Sequence, residues 1–275
     1  MTKIKGLFAV FIMIMVLITA ATGCAGPVKN EKQLQSATEN MGKFIQSKLS
    51  NLDNALDDAS VKIAQSGLTG DETREILEGL CKRYPYLVDC AAQDNRGTMV
   101  TLAPDSARQY EGINTSKNEV STEFFANKEP LFSNMFKAVQ GFDAIVLVRP
   151  VITEKGELLG SVSALFKPDD LLDSMIKPQA EVRAIKVNVL QTDGLCIYCS
   201  NGTETGKNLL TDASYKGYPD LVAQGAKIVA QKSGSCTFNY PSVASGQVVK
   251  KTACWTSVGL HGNEWRIISI AEFEN

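Results

Sequence analysis

The chain has 275 residues, enough for two modules of ordinary size. An apolar content of 44% is that of a globular protein and excludes a disordered one. The net charge is -2 with no long block of like charge, which argues against a nucleic-acid-binding surface.

The first residues read as an export signal. Lys3 and Lys5 precede an apolar run over 7–21, followed by Thr22-Gly23-Cys24. The run is about 15 residues, short of the roughly 20 that cross a bilayer as a helix. Ala21-Thr22-Gly23-Cys24 resembles a lipobox, with Ala21 where leucine is more usual. On this reading 1–23 is a signal peptide and Cys24 is the lipidated residue. An uncleaved membrane anchor is the alternative, and cleavage to a free secreted protein is the third. Lipidation and anchoring both put the folded part outside the cytoplasm.

Residues 30–66 predict one long amphipathic helix. Leu34, Ala37, Met41, Ile45, Leu49, Leu52, Leu56, Ala59 and Ile63 recur at the helical period, and Gly42 is the one weak point. At ~1.5 Å per residue it reaches roughly 55 Å, enough to run beside two stacked modules. The same stripe fits a coiled-coil dimer seam. Thr69 with Glu72 fits a capping box for a second helix over 71–83, which Tyr84-Pro85-Tyr86 stops.

Residues 87–93 read as a strand, Asp94-Asn95-Arg96-Gly97 as a turn and 98–102 as the return strand. Residues 103–140 read as loop and short helix, anchored by Phe124, Phe125, Phe132 and Phe136. Two apolar strands follow, 144–152 and 158–166, joined by Glu154-Lys155-Gly156-Glu157. A short linking helix over 171–176 is expected to end at Pro178. The pattern then repeats: strand 185–190, turn Thr192-Asp193-Gly194, strand 195–200, helix 218–231, and strands 235–240, 247–258 and 265–272.

The order of Tyr84-Pro85-Tyr86, Asp94 with Gly97, Gly112, Arg149-Pro150-Val151, Gly156, Gly160, Asp193-Gly194, Gly206-Lys207-Asn208-Leu209 and Trp265 resembles the double Cache family of PAS-like extracellular sensor domains. The resemblance covers about 30–273 and implies an α+β fold. A linker and long helix (24–70) are followed by a membrane-distal module (71–178) and a membrane-proximal module (179–275). Each module is expected to be a central antiparallel sheet flanked by helices. The family usually binds a small ligand in the first module and leaves the second as a spacer. No second apolar run of membrane length follows, so the expectation is a stand-alone lipoprotein that passes its signal or cargo to a membrane receptor or transporter. The other reading is a structural module that forms a homodimer through the long helix.

Some members of the family carry an amino-acid motif of Arg, Trp-Tyr and a later Asp. Here Thr122, Phe124-Phe125 and Leu165 fall near those positions, and Thr122 cannot form the bidentate carboxylate bond of Arg. Phe124 and Phe125 are candidate pocket walls. Asp143 and Arg149 share one face of a strand, and a charge on an apolar strand is expected to be paired or functional. They are the candidate polar contacts for a ligand, with Tyr110 and Lys128 behind them. A pocket made cationic by these residues would take a small carboxylate.

Seven cysteines in an exported chain suggest disulfides beyond Cys24. Cys236 and Cys254 are equidistant from position 245 and would face each other in a hairpin. Cys81 and Cys90 flank the Tyr-Pro-Tyr turn and would close a short loop. Cys196 and Cys199 have C-x-x-C spacing, which on a regular strand sends the thiols to opposite faces. Nothing points to catalysis, a cofactor or a metal. His261, the single histidine, falls in a glycine-flanked turn and reads as solvated, and Gly202 to Lys207 is one residue short of a phosphate loop.

Overall fold

The structure is a computed structural model describing residues 26–242 and 245–273. The export signal and Cys24 lie outside the described residues.

Helix α1 (Glu31–Ser66) begins where the Asn30 side chain accepts a hydrogen bond from the Gln33 amide. Its apolar stripe is consumed inside the chain. Leu34, Met41, Ile45, Leu49, Leu52, Leu56 and Ile63 are all buried, against strands of both modules. Each contributes roughly 1.5–3 kcal/mol of apolar burial. This corrects the coiled-coil reading, because the stripe is not free for a second chain. Gly42 is an adaptation of that packing. A Cβ there would lie 2.5 Å from Thr256 Cγ2.

Helix α2 (Asp71–Arg83) spans the expected residues, but its N-cap is Gly70 and the Thr69 capping box does not form. Thr73 instead donates from its hydroxyl to the Gly67 carbonyl at 2.6 Å. Strands β1 (Leu87–Asp94) and β2 (Met99–Ala103) form the first hairpin. Helix α3 (Glu119–Asn127) and the short strands β3 (Leu131–Phe132) and β4 (Phe136–Lys137) lead into β5 (Asp143–Ile152) and β6 (Leu158–Phe166). Gly156 holds the β5–β6 turn at φ 82°. The sheet order is β2-β1-β6-β5-β3, with β4 also on β5, and all pairs are antiparallel.

Helix α4 (Pro168–Arg183) joins the modules and runs through Pro178, contrary to the short linker expected. The ring removes one N–H from the helix. The helix persists because Ile176 and Ala180, on either side, are buried in the core. The second sheet contains β7 (Lys186–Gln191), β8 (Cys196–Cys199), β9 (Gly234–Pro241), β10 (Val248–Leu260) and β11 (Asn263–Ala271), with helix α5 (Pro219–Ala230) against it. Its order, β8-β7-β11-β10-β9, repeats that of the first sheet.

The modules share one core and direct bonds. The rings of Phe132 and Trp265 lie 4.8 Å apart, and Gln191 Oε1 accepts from the Met135 amide at 2.6 Å. Arg149 joins α1 to β5: Nε and Nη2 donate to the two carboxylate oxygens of Asp53 at 2.9 and 2.6 Å. His261 Nε2 lies 2.9 Å from Asp53 Oδ1, so this exposed turn residue also ties the turn to the helix.

The cysteine expectations change at the level of register. Cys236 pairs with Ala253 and Cys254 with Ser235, so the hairpin is centred half a residue from position 245. The two side chains therefore point to opposite faces and enter different clusters. That contradicts the Cys236–Cys254 disulfide. Cys81 and Cys90 are free thiols rather than the expected disulfide; Cys81 Sγ donates to Ala103 O at 3.5 Å, and the interaction of the two side chains lowers the pKa of Cys81 and, with burial, raises that of Cys90. A bulge opposite Leu190 brings Cys196 and Cys199 into one cluster, where they bond separately to Tyr198 O and Asn201 Oδ1.

Candidate ligand site in the first module

Strand alternation gives the first sheet two different faces. On β5 the odd residues Ile145, Leu147 and Val151 join the core under α1, and the even residues Val146 and Val148 face the other way. A cavity lies over that second face. It holds about 640 Å³ of non-protein space, part of it open to solvent, and is walled by α3 and the segment 136–140.

The floor is polar where β1 and β6 meet. Asp89, Ala91 and Gln93 line it from β1, and Ser161, Ser163 and Leu165 from β6. Asp89 is 4% exposed. Its Oδ2 accepts from Gln140 Nε2 at 2.7 Å, and burial pushes the carboxyl up to about 7. The Gln140 Oε1 atom is itself buried with no partner. Gln93 Nε2 donates to Gly97 O at 3.0 Å and Thr115 Oγ1 at 2.5 Å, and its Oε1 accepts from the Ser161 hydroxyl at 3.3 Å. Gln93 is thereby fixed, whereas Asp89 and Gln140 keep acceptor capacity facing the cavity. Phe124, 1% exposed, forms an apolar wall with Val120 and Phe136.

Of the residues expected at the site, Phe124 lines the cavity. Phe125 packs edge-on against it, with ring centroids 5.2 Å apart, and is not a lining residue. Asp143 and Arg149 lie on the odd face of β5, away from the cavity. Arg149 is spent on Asp53 and Asp57, and Asp143 is an exposed partner of Lys137. Tyr110 packs with Leu102 and Ala107 near β2, and Lys128 is the exposed left-handed C-cap of α3. Neither Lys nor Arg lines the cavity among the described residues, so the cationic pocket that would take a carboxylate is not formed. Asp89 and Gln140 were missed. The signal was present for Asp89, an acid inside the apolar strand Leu87–Asp94, which is the same criterion that singled out Arg149.

Residues 47–168 match the family model described as HK/GC/chemotaxis protein-like sensor domain. The extracellular ligand-binding receptor of Desulfohalobium retbaense superposes with a TM-score of 0.73 at 29% identity, over 88% of this chain. The chain has the double Cache fold of extracellular sensor domains. It spans 40% of the length of that Desulfohalobium receptor. The periplasmic sensory domain of the Campylobacter jejuni chemoreceptor Tlp1 matches at TM-score 0.63 and 16% identity, covering 88% of this chain and 94% of that one. The ligand-binding domain of the Pseudomonas fluorescens chemoreceptor CtaA, in complex with L-serine, matches at 0.64 and 15%, covering 88% and 96%. No curated protein matches the chain. In the double Cache frame the cavity belongs to the first module. No helix among the described residues is long and apolar enough to cross a membrane.

Proposed function

We propose that this double Cache protein binds a small amine-bearing molecule in the first-module cavity and acts as an extracytoplasmic sensor-type lipoprotein, held by lipidated Cys24. The modules are taken as 71–178 and 179–275. The observation that carries the reading is the buried Asp89 carboxyl beside the unpartnered Gln140 Oε1, in a cavity with no cationic side chain among the described residues that line it. An ammonium is the complementary group. It supplies donors to both acceptors and neutralises a carboxylate that burial alone disfavours. The chemistry replaces the small carboxylate expected from Arg149. Phe124, Val120 and Phe136 would hold an apolar body. The bound state would be read by a separate membrane receptor or transporter. Binding alone, without catalysis, accounts for the arrangement.

A thermal-shift screen of primary amines, amino acids and matched amine-free carboxylates tests this reading. Compounds with an ammonium are expected to raise the melting temperature by mass action, and Asp89→Asn to abolish the shift. A shift produced equally by the amine-free compounds would refute it.

A further inference from the structure

The second module repeats the first down to individual bonds. The Asp94 amide donates to Thr98 O, and the Gln191 amide to Leu195 O, each at 2.9 Å. Gly97 and Gly194 each donate back across the turn at 3.0 Å, to Asp94 O and Gln191 O. Thr98 bridges to Asn114 as Leu195 bridges to Asn208. These bonds equate Asp94 with Gln191. Counting back along β1 and β7 then equates Ala91 with Asn188 and Asp89 with Lys186. The position that carries the buried acid in the first module carries a base in the second.

A cavity of about 510 Å³ of non-protein space, part of it open to solvent, lies over the equivalent face of the second sheet. Three polar side chains reach it from the strands: Lys186 and Asn188 on β7 and Lys251 on β10. Most of the remaining lining is aliphatic or aromatic, including Tyr215 and Tyr240. The Asn188 Oδ1 atom is buried and has no partner. The one carboxylate among the described lining residues, Glu204, is fully engaged. Its Oε1 accepts from Lys186 and Thr203, and its Oε2 from Lys207 and the Tyr215 hydroxyl. The ammoniums are under-used. Lys186 has two partners, at 3.3 and 3.4 Å, and Lys251 has Glu272 at 3.1 Å. Each ammonium carries three donors. The unfilled valences are thus cationic donors and one amide acceptor, over an apolar floor.

We infer that the second module holds a separate binding site for a small carboxylate with an apolar body and one hydroxyl or amide N–H. The carboxylate takes the spare donors of Lys186 and Lys251. The hydroxyl or N–H donates to Asn188 Oδ1. The site has the opposite charge preference to the first-module cavity and is independent of it.

Calorimetric titration of the protein with phenyllactate and 2-hydroxy-4-methylpentanoate tests the inference. The comparators are 3-phenylpropanoate, which lacks the hydroxyl, and phenyllactamide, which lacks the charge. At least one hydroxy acid is expected to bind, with its comparators weaker by about tenfold or more, as for a hydrogen bond to a buried or charged group. Asn188→Leu and Lys186→Gln are each expected to weaken it by about the same factor. Lys186→Gln stands alone should the leucine variant fail to fold. Asp89→Asn is expected to leave this binding unchanged, which separates it from the amine site. The inference is overturned if neither hydroxy acid binds, if the comparators bind equally, or if the loss follows Asp89→Asn instead.

Discussion

Replacing Asp89 by Asn should make the ligand-free protein more stable, and only at the pH where the acid would be charged. In the folded state burial raises the carboxyl from 3.8 to about 7. A raised acid favours folding fully below the unfolded pKa and loses that contribution as pH rises through the folded one. The penalty therefore grows between about pH 4 and pH 7 and is complete above it. A shift of about three units corresponds to roughly 4 kcal/mol. Asparagine keeps the Gln140 bond through its carbonyl oxygen and carries no charge to desolvate. For a chain of this size each kcal/mol moves the melting temperature by about 2–4 °C. The variant should match the wild type near pH 4 and exceed it by about 10 °C at pH 8. Paired melting curves by circular dichroism from pH 4 to pH 8 read this directly. A variant equal to or less stable than the wild type at pH 8 would refute the reasoning, since Asp89 would then have a stabilising partner in the folded state.

Asp53→Ala leaves half-buried Arg149 with Asp57 alone and takes the carboxylate from His261, and should cost about 1–3 kcal/mol in urea denaturation; a loss below about 0.5 kcal/mol would contradict the tie. Gly42→Ala should destabilise despite the better helix propensity of alanine, by about 1–3 kcal/mol, because the added methyl meets Thr256 on β10; an increase in denaturation midpoint would show that the strand gives way freely. Mild oxidation should join Cys81 to Cys90, detectable by peptide mapping after alkylation, and stabilise the fold by about 2–3 kcal/mol. The same map should show no Cys236–Cys254 link, since those side chains lie on opposite faces.

Much of the fold was legible because its signals are local. The stripe from Leu34 to Ile63 defines α1 to within a residue, and Gly156 marks the β5–β6 turn. Pro178 misled because a local breaker is overridden by the burial of Ile176 and Ala180, which depends on tertiary packing. The Cys236–Cys254 pairing failed by a single step of register, which inverts the face of every side chain on a strand. The candidate site was half legible. Phe124 was found, but Arg149 and Asp89 satisfy the same rule of a charge on an apolar strand. What separates them is a carboxylate 96 residues away, at Asp53, which occupies Arg149 and leaves Asp89 open. Gln140 carries no sequence signal, because its role depends on the loop that brings it over β1.

Binding of an ammonium at Asp89 is read out by the proton balance of binding. The best primary amine from the screen, itself protonated at pH 6, is titrated calorimetrically at that pH in two buffers of different ionisation enthalpy. With the Asp89 carboxyl at about 7 when free, the account predicts release of close to one proton per amine bound. Asp89→Asn should show none and bind at least about tenfold more weakly. Binding without proton release, or with the same affinity in the variant, would contradict it.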